Sequence, residues 1–243
     1  MATFFSFLTG LNLVIEGDVD LSGVAYSHRL VIRNAVFSGV LDLSEAHFKR
    51  TIDVTNCLFQ KAIRCFHTEI RGSLVLSDLT LNAPADTDVK ADFSRVRVAG
   101  DIDGRGLQCN CGIDFQYAQI SGNLHFLSTS ARETFFGGHL DLQGAKILGD
   151  VILYGVQAKD EVRMAGAEIA GHLLLVSEKE HRTRIAGILT NFLFRSIRAA
   201  SWQGVCLRTT SPHIDFVSCV EVLLGLERVL FNASPGFSPE SNL

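Results

Sequence analysis

The chain has 243 residues, enough for one elongated domain or two compact ones with a sizeable core. Hydrophobic residues make up 47% and charged residues 20%, a balance typical of an ordered protein and not of a disordered one. The net charge of −4 argues against a broadly basic nucleic-acid-binding protein, and it is too modest for this length to indicate an acidic mimic of nucleic acid by itself.

Residues 1–16 form an apolar opening segment. It has no Lys or Arg before its hydrophobic part and no small-residue cleavage site, so it does not resemble a secretory signal peptide. Gly10 and Asn12 interrupt it, and it is too short to cross a bilayer. We therefore expect an N-terminal cap over the first coil of the fold that follows, and no transmembrane segment.

An eleven-residue repeat begins at Gly17. Aliphatic residues recur at this period, and each is followed two places later by a second apolar residue. Pairs at i and i+2 put both side chains on one face of an extended strand, whereas a helix needs spacings of three and four. A fixed period of this kind is typical of a repeat architecture. The first residues of the pairs are Val19, Leu30, Leu41, Ile52, Ile63 and Leu74.

Each pair predicts a very short strand followed by a corner, because the pairs return alternately after five and six residues. Glycines recur 22 positions apart, which predicts a four-sided coil of about 22 residues and a parallel β-helix. Some of these corner glycines are expected to have positive φ. The spaced pairs are Gly17 and Gly39, Gly100 and Gly122, and Gly149 and Gly171.

Two polar stretches interrupt this register, near residues 82–90 and 128–138. Pro84 cannot donate to a β-ladder, so the first stretch is expected to be a loop leaving one corner. The register resumes at Ala91 and again at Leu140. The β-helix is therefore predicted over residues 17–176, with two inserted loops.

A mainly helical region is predicted over residues 177–243. The apolar spacing becomes helical from Ile185, a β-like piece is expected at Val205–Leu207, and Val217–Phe231 forms a second, strongly apolar helix. This region would cap the last coil or form a homodimer interface, because an open solenoid end exposes unpaired backbone groups. The candidate interface residues are Val220, Leu223, Leu224, Val229 and Leu230.

Several triplets resemble the A-x-[L/F/I] core of pentapeptide-repeat proteins, and L-D-L-S at Leu41–Ser44 strengthens the resemblance. The resemblance covers residues 17–175 and implies a right-handed parallel β-helix that acts as a binding surface. Some members of this family resemble duplex DNA in size and charge and bind type II topoisomerases, and many others, in bacteria, have no assigned chemistry. The alternation of five and six residues departs from the strict family pattern. The triplets are Ala35–Phe37, Ala46–Phe48, Ala118–Ile120, Ala145–Ile147 and Ala167–Ile169.

The residue between the two members of each leading pair is expected to face solvent, and it is frequently Asp. In a 22-residue coil Asp20 would stack on Asp42 and Asp92 on Asp114. Such a row could imitate a phosphate rail or hold a basic partner. The alternative is that Asp merely favours the corner, since Arg64 interrupts the row. The candidate partner-binding residues are Asp20, Asp42, Asp92, Asp114 and Asp141.

No catalytic residue, metal site or cofactor is predicted. Cys109 and Cys111 form a C-x-C pair without a second cysteine pair or spaced histidines, and reduced structural cysteines indicate a cytoplasmic protein. His139 and His172 lie one and a half coils apart, hence on opposite sides. No hydrolase, nucleotide-binding or zinc-protease motif is present.

The leading hypothesis is a non-catalytic β-helix scaffold that presents a rigid surface to a protein partner. Direct nucleic-acid binding is not expected. Three alternatives stay open: an acidic DNA mimic that binds a type II topoisomerase, a self-polymerising bactofilin-like scaffold, and a carbohydrate-active β-helix enzyme. The enzyme would need converging carboxylates on a broad sheet.

Overall fold

The computed structural model describes residues 13–83, 91–177, 183–185, 199–203 and 206–207. The regular elements within these ranges are β-strands of two to five residues that pair in parallel. They form four sheets, so the all-β solenoid expected from the sequence is confirmed. Among the residues described, none lies in a helix with the length and apolar character that a bilayer crossing requires.

Each of the first seven described turns of the chain adds one strand to each sheet, and we name the sheets A to D in the order in which the chain visits them. Sheet A contains Leu13–Ile15, Ala35–Phe37, Leu58–Phe59, Thr80–Leu81, Gln108–Cys109, Phe135–Phe136, Gln157–Ala158, Arg184–Ile185 and Cys206–Leu207. Sheet B contains Val19–Asp20, Leu41–Asp42, Ile63–Arg64, Ala91–Asp92, Ile113–Asp114, Leu140–Asp141 and Val162–Arg163.

Sheet C follows the next corner, and sheet D completes the coil. Sheet C contains Ala25–Tyr26, His47–Phe48, Glu69–Ile70, Arg97–Val98, Gln119–Ile120, Lys146–Ile147 and Glu168–Ile169. Sheet D contains Leu30–Arg33, Ile52–Thr55, Leu74–Val75, Ile102–Asp103, Leu124–Leu127, Val151–Tyr154, His172–Val176 and Ala199–Gln203.

The register of the sheets confirms the predicted coil length. Paired residues lie 22 positions apart where no insertion intervenes, as Leu41 and Ile63 do. Across the first polar stretch the separation is 28, as between Arg64 and Asp92, so six extra residues leave the coil there. Residues 84–90 of this loop lie outside the described residues.

The second polar stretch and a further insertion each add five residues. Gln108 pairs with Phe135, 27 positions away, on either side of the predicted second loop. Gln157 pairs with Arg184 at the same separation of 27. This third insertion was not predicted from the sequence, because the repeat pattern places the end of the β-helix at residue 176.

The solenoid also continues past that boundary. Arg184–Ile185, Ala199–Gln203 and Cys206–Leu207 extend sheets A and D. The apolar spacing predicts a helix from Ile185, but this residue fills the inward slot next to Ala158 and is 1% exposed. Stacking on the preceding coil therefore outweighs the local helical spacing at this residue.

Most of the predicted C-terminal region, including the five candidate interface residues from Val220 to Leu230, lies outside the described residues, as do residues 1–12 of the expected N-terminal cap.

One continuous column of apolar side chains fills the interior. Equivalent slots stack from coil to coil, as Phe37 does on Phe59 with ring centroids 4.5 Å apart. Phe126 meets Phe136 edge to face at 5.1 Å. Gly104 leaves room for the Phe126 ring, since an ideal Cβ there would lie 2.6 Å from it. The coils thus share one core, and no coil has an interior of its own.

The glycine row at one corner serves close backbone packing. Of the six glycines in the predicted pairs, only Gly17 has positive φ, at 80°, and Gly122 is among the five that do not. An ideal Cβ on Gly122 would lie 2.7 Å from the carbonyl carbon of Gly100, whose oxygen accepts the Gly122 N–H at 3.1 Å. The lack of a side chain allows successive coils to touch.

Positive φ occurs instead along two other rows of corners. Among the described residues, seven with positive φ are not glycine, although this region disfavours L-residues by about 1–2 kcal/mol. Asn34, Asn56 and Asp78, between sheets D and A, are of types that tolerate it. The row between sheets B and C holds less usual types. This row consists of Gly23, Glu45, His67, Arg95, Tyr117, Gly144 and Gly166.

Candidate functional surfaces

The acidic row predicted on the outside of the coils lies on sheet B. Asp20 pairs in register with Asp42, and Asp92 with Asp114, so the predicted stacking is confirmed. Arg64 stands between Asp42 and Asp92, with its Nη1 3.9 Å from Asp42 Oδ2. The row of aspartates is therefore not continuous, because the positively charged Arg64 interrupts it.

Each aspartate of this row also shapes its own corner. Asp20 Oδ1 accepts the backbone N–H of Ser22 at 2.9 Å, and Asp42 Oδ1 accepts that of Ser44 at 2.9 Å. These are Asx turns, which Asp forms readily. The hydrogen bonds from Ser22 lower the pKa of Asp20. Local structure alone therefore accounts for Asp at these positions. The same bond is made by Asp92, Asp114 and Asp141.

Asp141 departs from the expectation that this position faces solvent. Its side chain is 1% exposed, because residues of both neighbouring coils cover it. Gln116 Nε2 donates to Asp141 Oδ2 at 2.8 Å, and Arg163 Nη1 lies 3.8 Å from the same oxygen. Asp141 is consequently not available to a partner in the way that the partly exposed Asp42 is.

A second buried carboxylate lies on sheet D, where Asp53 is also 1% exposed. Nη2 atoms of Arg29 and Arg33 each donate to its Oδ2 at 2.5 Å, and Thr55 Oγ1 donates to Oδ1 at 2.5 Å. Burial opposes ionisation of Asp53, but the hydrogen bonds from Arg33 and Thr55 prevail and lower its pKa. The carboxylate is held ionised and fully partnered, an arrangement suited to structure rather than to proton transfer.

The two histidines considered for catalysis belong to different sheets. His139 precedes a strand of sheet B, whereas His172 begins a strand of sheet D. His172 Nδ1 lies 2.9 Å from Asp150 Oδ1, and the His172 backbone N–H bond is the main cause of the lowered pKa of Asp150. The pair belongs to a corner ladder in which Asp101 likewise accepts the Asn123 N–H at 2.7 Å.

The four cysteines with described side chains are buried thiols. Burial raises the pKa of Cys57 to about 11. Cys109 Sγ and Cys111 Sγ lie 3.3 Å apart, and the hydrogen bond to Cys111 together with burial raises the pKa of Cys109. No group of three metal-ligating side chains occurs in the described ranges.

Two of the insertions are closed by a hydrogen bond between a serine side chain at the start and a threonine backbone N–H at the end. Ser128 Oγ accepts the Thr134 N–H at 2.8 Å, and Ser177 Oγ accepts the Thr183 N–H at 2.7 Å. Ser128 Oγ also donates to the Gly155 carbonyl at 2.7 Å. This closure was not predicted, although both insertions show the same S-x5-T spacing, in STSARET and SEKEHRT.

An apolar patch lies on the outer side of sheet D, on the strands Leu124–Leu127, Val151–Tyr154 and His172–Val176. We call it the sheet D patch, and its partly exposed side chains come from three successive strands. Ile152 pairs with Leu174, while Tyr154 pairs with Leu127 and Val176. The period that places Asp42 on the outside also places Ile152 and Leu174 there, but only the pairing shows that they adjoin the row of Leu127, Tyr154 and Val176.

A depression with two arginines lies between the positive-φ row and sheet C. Its residues were not singled out from the sequence. The available signal was a bulky residue immediately before the inward triplet, as in His67, Arg95 and Tyr117, where glycine stands in other coils.

Comparison with protein-family models, with curated proteins and with solved structures finds no match to this chain.

Proposed function

We propose that this protein is a non-catalytic cytoplasmic scaffold that presents a rigid β-helix surface to a protein partner. The observation that carries the proposal is the sheet D patch. Outward positions of a solenoid ordinarily carry polar side chains, and contiguous exposed apolar surface marks interaction sites. Strands that pack on a continuous core hold the patch residues in fixed positions, which limits the entropy lost on binding.

We further propose that the solenoid is a right-handed helix of the pentapeptide-repeat kind. Support comes from the A-x-F triplet at Ala46–Phe48. Ala46 and Phe48 point inward and are 0% and 2% exposed, while His47 is exposed, as that repeat requires.

Charge placed in the patch tests the interaction proposal. Ile152→Lys with Leu174→Lys should abolish binding of the partner recovered by affinity purification from the source organism. Val36→Lys with Leu58→Lys is the matched control, because these outward residues pair in register on sheet A. Binding of the purified partner would be measured for both variants by calorimetry, with the thermal midpoint of each as a check on folding.

A partner that binds the Ile152→Lys and Leu174→Lys variant as tightly as the unmodified protein would contradict the proposal. Equal weakening by the sheet A control would do so as well, because it would show a general effect of added charge.

We also propose that the C-terminal region forms a homodimer through Val220, Leu223, Leu224, Val229 and Leu230. Deleting residues 217–243 should halve the mass measured by light scattering or cause aggregation. A soluble monomer both before and after deletion would refute this proposal.

The acidic row of sheet B supports a second candidate, a DNA mimic directed at a type II topoisomerase. The observation in its favour is the stacking of Asp20 on Asp42 and of Asp92 on Asp114. Replacing these four residues by Asn keeps an oxygen for each Asx turn and removes the charge. Inhibition of supercoiling should be lost in this variant; inhibition equal to that of the unmodified protein, or none by either, would exclude the mimic.

A further inference from the structure

A shallow depression of about 280 Å³ lies at the edge of sheet C. Its side chains come from the positive-φ corner row and from the outward row of the sheet, and all are exposed. We call this depression the sheet C corner site. It is lined by His67, Arg95, Arg97, Tyr117 and Gln119.

Three of these residues are held in a conformation that is unfavourable for them. His67, Arg95 and Tyr117 occupy equivalent positions in successive coils, with φ of 54°, 56° and 57°. Residues in sparsely populated backbone regions persist where the surrounding structure imposes them, and they concentrate at functional sites. Here the stacking of the coils imposes the corner conformation, so the three side chains project from the same edge of the solenoid, one from each successive coil.

Tyr117 lies between Arg95 of the preceding coil and Gly144 of the following coil. Arg95 Cζ lies 5.9 Å from its ring centroid, a cation–π contact, while Gly144 in the following coil makes room for the ring. An ideal Cβ on Gly144 would lie 2.6 Å from Tyr117 Cδ1. Stacking against a ring occupies a face of the guanidinium and leaves its in-plane N–H groups free to donate.

The two arginines have no carboxylate partner in the part of the chain that the structure describes. Glu69 pairs with Arg97 in sheet C, but its carboxylate binds His47 Nδ1 at 3.2 Å and Arg71 Nε at 3.4 Å. The hydrogen bond from His47 is the main cause of the lowered pKa of Glu69. Two uncompensated positive charges therefore share a concave site on a chain whose net charge is −4.

We propose that the sheet C corner site binds a phosphate monoester group. Hydrogen-bond donors at this site come from two guanidinium groups, the Gln119 amide and the His67 ring. A carboxylate has two oxygens and would leave some of these donors unused, whereas a phosphoryl group offers three oxygens that are strong acceptors. The proposal is independent of the sheet D patch, which lies on a different sheet.

Inorganic phosphate is the first probe, titrated into the ¹⁵N-labelled protein at constant pH and ionic strength. The side-chain amide signals of Gln119 should shift saturably. Arg95→Gln and Arg97→Gln should each weaken binding by roughly tenfold or more, the loss expected for one charge-assisted fork. Arg105→Gln is the matched control, because Asp103 Oδ2 already binds Arg105 Nη2 at 2.6 Å. It should leave the dissociation constant unchanged.

A non-saturating shift of Gln119, or equal weakening by Arg105→Gln, would overturn the proposal. A five-residue phosphoserine peptide and its unphosphorylated form identify the source of the group. Tighter binding of the phosphopeptide than of inorganic phosphate supports a phosphorylated protein as ligand, and equal binding supports a small phosphate ester.

Discussion

The corner row between sheets B and C shows how single residues fit the coil. Gly144 and Gly166 both have positive φ, 63° and 68°, but their surroundings differ. A Cβ on Gly166 would meet nothing within 4 Å, whereas one on Gly144 would meet the Tyr117 ring. Alanine substitution at Gly166 therefore measures the free-energy cost of the backbone conformation alone, and substitution at Gly144 adds the cost of a steric clash.

Gly166→Ala should lower the free energy of unfolding by about 1–2 kcal/mol, the cost of a left-handed L-residue. Gly144→Ala should cost about 1–3 kcal/mol more than Gly166→Ala, because the new methyl group also displaces Tyr117. Urea denaturation of both variants measures the difference. In a Tyr117→Ala background the two should cost the same; a persistent difference would show that Tyr117 is not the obstacle.

Asp53 gives a residue-scale prediction about pH. Its pKa is lowered in the folded protein, so ionised Asp53 contributes stability above its unfolded pKa of about 3.9. That contribution disappears as the pH falls through the folded pKa. Asp53→Asn should cost about 1–3 kcal/mol at pH 7, a range discounted because Arg29 and Arg33 are half exposed.

The stability difference between the unmodified protein and Asp53→Asn should be constant above about pH 5 and shrink below about pH 4. Urea denaturation across this range provides the test. A difference independent of pH would mean that the charge of Asp53 is unimportant.

At the scale of elements, the insertions show how a coil accommodates extra residues without losing register. The hydrogen bond between Ser128 and Thr134 brings the two ends of the insertion together, and Phe135, directly after it, pairs with Gln108 in sheet A. Arg132 strengthens the return by donating to the Asp78 carbonyl at 2.6 Å and to Thr80 Oγ1. An insertion of this kind is a self-contained unit added outside the core.

Ser128→Ala should lower the free energy of unfolding by about 1–3 kcal/mol, because it leaves the buried Thr134 N–H and the Gly155 carbonyl without their hydrogen bonds to Ser128. Ser130→Ala is the control in the same loop, since Ser130 is exposed, and it should change stability by less than about 0.5 kcal/mol. Similar losses in thermal melts of both variants would show that the closure does not stabilise the insertion.

At the scale of the molecule, a single core runs along the coils from Leu13 to Ile185, so protection from solvent should be shared along it. The cysteines provide a chemical probe of this property. Cys57, Cys65, Cys109 and Cys111 are distributed along the solenoid and are all buried. A thiol whose pKa is raised, as that of Cys57 is to about 11, carries little reactive thiolate at neutral pH.

In a Cys206→Ser and Cys219→Ser background, the four remaining thiols should not react with a disulfide reagent until the protein unfolds. They should then all react in one phase as denaturant is increased. Reaction of one thiol at a lower denaturant concentration than the others would show that the solenoid opens coil by coil instead of cooperatively.

The sequence alone determined the repeating architecture. Alternation at i and i+2 is a local property of an extended strand, and the eleven-residue period needs no knowledge of distant contacts. Leu41 and Ile63 are therefore assigned to inward slots by periodicity alone, and their pairing in sheet B agrees with that assignment. The stacking of Asp20 on Asp42 followed from the same period.

Tertiary structure decided what each outward side chain meets. Asp42 and Asp141 have equivalent positions, yet Asp141 is buried because Gln116 and Arg163 reach it from the neighbouring coils. Ile185 entered a strand despite its helical spacing because a coil was already in place for it to cover. Burial and charge pairing depend on residues 22 to 28 positions away, and local periodicity carries no information about the identity of those neighbours.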